Sequence, residues 1–104
     1  MIDYVDVDRI ITERITVQSL PLHHFQLLHK LIAEATNEMK AMIREHRYLQ
    51  YVKIWSENKT VELQNILEKE TIEPATPTYI AIKQLSDAAT HFLAEYRAKK
   101  RATT

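Results

Sequence analysis

This chain reads as an all-α domain, a three- to four-helix antiparallel bundle, and three observations predict it. Glycine is absent from all 104 residues. No proline interrupts the chain between Pro21 and Pro74. Across that middle stretch apolar residues return every three or four places, the period of one helix face. Without glycine the chain lacks the residue that takes positive φ at no steric cost. Primed hairpin turns, glycine-ended helix caps and phosphate-cradling loops all lean on it.

The first element is a short helix near 6–14, with an extended connector to about residue 20. Asp6 or Asp8 is placed to cap it, and Val7, Ile10 and Ile11 give it an apolar side. The competing reading is an extended arm, because Arg14-Ile15-Thr16-Val17-Gln18 alternates in the manner of a strand.

A long central helix over about 20–55 follows. Ser19 suits its cap and Pro21 its first turn. Its seam is Phe25, Leu28, Ile32, Ala35, Met39, Met42, His46 and Leu49, flanked by Leu27, Leu31 and Ile43. That face is wider than a two-stranded coil needs and suits a bundle. Beyond Val52 and Trp55 the polar run Ser56-Glu57-Asn58-Lys59-Thr60 is the expected turn of a hairpin. A shorter helix over about 60–72 then carries Leu63, Ile66 and Leu67. The rival is one unbroken rod from 20 to about 71, roughly 75 Å long at 1.5 Å per residue.

Pro74 pushes Glu73 out of helical geometry. Thr76 caps the last helix, expected over about 77–99, with Pro77 in its first turn. Ile82, Leu85, Ala89, Phe92 and Tyr96 line its apolar face. Glu95 and Lys99 are a surface pair at spacing four. Residues 98–104 form a frayed basic tail.

Fourteen acidic and fourteen basic residues leave no net charge. That balance argues against a protein whose main task is coating nucleic acid. By segment the net charge runs −2 over 1–21, +2 over 22–55, −3 over 56–73 and +3 over 74–104, which favours antiparallel neighbours weakly. There is no cysteine, hence no disulfide, thiolate metal site or thiol catalysis. The acidic start fits no secretory signal, and no apolar run approaches the roughly 20 residues of a membrane span. The expected setting is soluble and cytoplasmic.

His23, His24 and His29 stand one, five and six residues apart, whereas a helical chelate needs spacings of three or four. They read as a polar helix start. Asp87, His91 and Glu95 do share a face of the last helix, expected to be solvated, and three residues alone complete no site. His46 occupies a seam position, as a wet end-of-bundle residue or a register-setting polar one. Glu34 and Glu38 stand one turn apart with nothing to mark them as buried. With no glycine-supported nucleophile elbow, no P-loop and no Glu-x-x-His pair, the expectation is a non-catalytic protein without metal or cofactor.

The strongest candidate is Arg44, Arg47, Tyr48, Tyr51 and Trp55. The three aromatics step by three and four beside the main seam. Trp, Tyr and Arg dominate binding hot spots because each buries large area while keeping a polar handle. Met39 and Met42 add adaptable apolar surface. The expected function is therefore protein–protein interaction, as an adaptor, inhibitor or assembly subunit that self-associates, with Trp55 divided between core and interface roles.

Arg14-Ile15-Thr16-Val17-Gln18-Ser19-Leu20-Pro21 followed by a helix resembles the opening of ribbon-helix-helix regulators, over about a third of the chain. The resemblance implies a dimeric DNA-binding protein whose strand places Arg14, Thr16 and Gln18 in the major groove. It would put a turn at Ala35-Thr36-Asn37 and a second helix from Glu38. Here the apolar seam runs straight through that turn, so interaction with protein is the preferred reading.

Overall fold

The computed structural model describes residues 1–16 and 19–102. Four helices account for most of them: α1 (Tyr4–Arg14), α2 (Leu22–Arg44), α3 (Leu49–Lys69) and α4 (Pro77–Ala102). No strand occurs among the described residues. No helix among them is long and apolar enough to cross a membrane.

α1 begins earlier than the sequence suggests. Asp3, rather than Asp6 or Asp8, is the cap, and Asp6 completes a capping box with it. Short carboxylates on both partners satisfy two amide donors that would otherwise be orphaned. α2 starts at Leu22 on Pro21, with no side-chain cap, so Ser19 does not play that part. Thr76 caps α4 through its hydroxyl, and Pro77 opens the helix as its fixed φ favours. α4 runs on through Ala102, past the frayed tail expected from residue 98.

The expected central helix over about 20–55 is divided. The break lies at residues 45–48, and Ser56–Thr60, expected as the turn, sits inside α3. The chain turns without glycine. His46 takes φ 52°, its amide bonding to the Ile43 carbonyl and that of Arg47 to Met42. Thr71 repeats the device at the end of α3, with φ 53° and amides of Thr71 and Ile72 returning to Glu68 and Leu67. Both are the paired six-to-one and five-to-two bonds of a Schellman cap, built on residues that pay a left-handed cost.

Consecutive helices alternate in direction. α4 lies antiparallel to α1, as Arg9–Glu95 and Arg14–His91 record, and antiparallel to α3, as Ser56–Ala89 and Lys83–Gln64 record. α2 runs parallel to α4, since His24 meets Thr78 near both N-termini. α4 packs closely against all three other helices, and α1 also packs against α2. α2 and α3 are not among the closely packed pairs, so that edge of the bundle is open.

The core is apolar and continuous. Val7 and Ile10 of α1, Ala35 and Met39 of α2, Val52 and Leu63 of α3, and Ile82, Leu85 and Phe92 of α4 are almost fully buried. Each large member contributes about 1.5–3 kcal/mol of burial. Ala81, Ala88 and Ala89 keep the contact face of α4 shallow, and buried Ser56 donates to the Ala89 carbonyl at 3.2 Å. Phe25 and His46, both expected in the seam of α2, are exposed.

The face of α4 expected to be solvated is instead covered by α1. Glu95 accepts from Arg9 at 2.5 Å and Lys99 reaches Asp6 at 2.8 Å. Arg14 can only donate, so His91 accepts at Nδ1 (2.7 Å) and donates from Nε2 to Glu95 (2.8 Å). Asp87 stays exposed outside this network. Lys99, then the Asp3 amide and Arg9, outweigh partial burial and lower the Asp6 carboxyl from its ordinary 3.8 to about 2. A lowered carboxyl stabilises the fold above its unfolded value and loses that contribution as pH falls from about 4 toward 2. Asp6→Asn should therefore cost stability at neutral pH, and the gap from wild type should close on acidification. Urea melts at pH 7 and pH 2.5 test this; a gap that stays constant would remove Asp6 from the acid response.

Candidate functional site: the open edge along α3

α3 buries one side, Val52, Ser56, Lys59, Leu63 and Leu67, against the bundle. Its opposite side carries a second regular series, Tyr51, Ile54, Asn58, Val61 and Asn65, spaced three and four in turn. All five are exposed. Tyr51 and Ile54 are each 47% exposed and Val61 59%. Apolar groups at heptad spacing on an outer face do nothing for the monomer's own core.

Two adjoining hollows lie along this face, the first bordered by Glu38 of α2 and the second lined by α3 alone. One, of about 400 Å³, is lined by Glu38, Tyr51, Ile54, Trp55, Asn58, Lys59 and Glu62. The other, of about 430 Å³, shares Asn58 and Glu62 and continues past Val61 and Ile66 to Lys69. Together they follow α3 for most of its length.

Polar groups hold the inner wall in shape. Lys59, with only 8% of its side chain exposed, bonds Glu38 of α2 and Glu62 of its own helix, both at 2.7 Å. Burial alone would push the ammonium down, but the two carboxylates outweigh it and its pKa is raised. Trp55 Nε1 donates to the same Glu38 at 3.1 Å, while its ring meets Phe92 edge-on with centroids 5.9 Å apart. Glu38, read in the sequence as unremarkable, is thus the strut between α2 and α3.

The five residues singled out as a partner-binding cluster separate in space. Tyr51 and Trp55 line the first hollow. Arg47 stacks over Tyr51 with its guanidinium 4.6 Å from the ring centre. Tyr48, 81% exposed at the start of α3, continues the aromatic series, with the Lys100 ammonium 5.7 Å from its ring. Arg44 departs from the group and lines a different hollow with Asp3, Tyr4, Val5, Ile43 and His46. Trp55 packs its ring against Phe92 of the core and also lines the first hollow. A turn at 56–60 separates Ile54 from Val61 and Asn65, so the sequence expectation shows no continuous face through Ile54, Asn58, Val61 and Asn65. Their spacing of three and four was the signal that continues α3.

The nucleic-acid alternative fares differently at each residue. Arg14 ends α1 against His91, and Thr16 is tied to Gln84 through its amide and its hydroxyl. Gln18 lies outside the described residues. Among the histidines, His24 bonds Thr78 and His29 stacks on Phe25. No group of three or more His, Asp or Glu placed to hold a metal ion occurs among the described residues.

No protein-family model, curated protein or solved structure matches this chain.

Proposed function

We propose that this chain is a non-catalytic protein–protein interaction module, an adaptor, inhibitor or assembly subunit that self-associates, and that it acts through the outer face of α3. One observation carries the reading: Tyr51, Ile54 and Val61 stand about half exposed in a single helical register beside an open groove. Such patches on small domains mark interaction sites. The aromatic run Tyr48, Tyr51 and Trp55 supplies hot-spot residue types at one end. The rigid Glu38–Lys59–Glu62 strut keeps the groove preorganised, which lowers the cost of binding.

The test is an Ile54→Glu/Val61→Glu variant. Both sites face solvent, so helix content and melting temperature should stay near wild type while partner binding, to itself or to another protein, is lost. A variant that stays folded and binds as before would exclude this face.

A further inference from the structure

We infer that the partner seated on α3 is the α3 of a second copy of this chain, antiparallel about a two-fold axis near Ser56. This rests on the reading just given and names the occupant. The groove and the ridge that would fill it lie on the same helix, which is the condition for a self-complementary, closed interface. Tyr51, Ile54 and Val61 are the ridge, and the hollow beside Ile54 and Asn58 is the groove. A helix laid along a groove by apolar anchors on one face is a common recognition mode.

Charge selects the direction. Flanking the exposed series, Glu57 lies on one side and Glu62 on the other, with Lys53 one turn before Glu57. In a parallel pair the two flanks cross, setting Glu57 against Glu62 of the second copy twice over. In an antiparallel pair like flanks meet. An axis near Ser56 then sets Val61 opposite Tyr51 of the second copy, brings the two Ile54 side chains beside the axis, and places Lys53 near Glu57 of the second copy at two equivalent points, which outnumber the single approach of the two Glu57 side chains across the axis. Opposed helix dipoles favour the same direction.

Sedimentation across a range of concentrations, paired with charge reversal, tests this. Wild type should form a dimer. Lys53→Glu and Glu57→Lys should each raise the dissociation constant, by about tenfold for a loss near 1.4 kcal/mol. The double variant, which restores opposite signs, should recover wild-type affinity. If Glu57→Lys alone tightens the dimer, the helices run parallel and the antiparallel assignment falls. If wild type stays monomeric at every concentration, the second copy is not the occupant. In that case the interaction reading stands or falls separately, on whether the Ile54→Glu/Val61→Glu variant loses a heterologous partner.

Discussion

Phe92→Ala is expected to lower stability by about 3–5 kcal/mol, the largest effect of any single change considered. Phe92 is fully buried in α4, the helix that packs against all three others. Its ring meets Trp55 at 5.9 Å and Tyr96 at 5.8 Å, so it stands where the core reaches the inner wall of the groove. Truncation leaves a ring-sized void between helices that cannot all close on it, because each is also held by other contacts. For a domain whose whole stability is about 5–15 kcal/mol, that is a large share. Phe92→Leu fills most of the void and should cost clearly less. Urea unfolding monitored by circular dichroism gives both values. A loss below about 1 kcal/mol for alanine would mean that the bundle does not pivot on this ring. Trp55 fluorescence should also report the Phe92→Ala change, since the indole loses its contact with the Phe92 ring.

Glycine at His46 and Thr71 should stabilise the protein, an unusual outcome for replacing a side chain with none. Both residues occupy left-handed backbone, at φ 52° and 53°. A side chain there costs roughly 1–2 kcal/mol, while glycine's greater freedom in the unfolded chain returns roughly 0.5–1 kcal/mol of that gain. The net expectation is roughly 0.5–1 kcal/mol at each site. Thr71 should give the larger share, because a β-branched residue is the more crowded at positive φ. Together the two changes should raise the melting temperature by several degrees, at roughly 4–8 °C per kcal/mol for a domain of about this size. Thr71→Ala is the control and should bring a smaller gain, since alanine sheds the branch but keeps the Cβ that causes the clash. If glycine lowered the melting temperature at both sites, the turns would owe their shape to the His46 and Thr71 side chains.

These two turns also mark the limit of local reading. The absence of glycine argued against Schellman caps, and the sequence seam continued through His46 and Leu49 without a breaker. The chain nevertheless turns at 45–48 because tertiary contacts repay the local cost. The Tyr96 hydroxyl of α4 donates to the Arg47 carbonyl, and the turn amides return to α2 carbonyls. With the break there, α3 gains two more turns and buries Val52 and Ser56 against α4. A turn at 56–60 would have given up that packing.

The site divides in the same way. Tyr48, Tyr51 and Trp55 were legible as an aromatic series because their spacing is a local property. Arg44 did not stay with them, since the break at 45–48 reorients everything before it. The Asp87–His91–Glu95 column was visible as a column, but nothing local said that α1 would cover its His91 and Glu95 end. Lys59 looked like a solvated turn residue and is instead buried between two carboxylates.

Helical class, the register of the buried face of α4 and the start of α4 at Thr76-Pro77 followed from residue order alone, because capping chemistry and the 3.6-residue period act over a few neighbours. Where α2 ends, which face of α4 meets α1, and the open edge that leaves α3 half uncovered were decided by packing. Those outcomes depend on which surfaces can be buried together once all four helices compete for the same core, and that competition has no local signature.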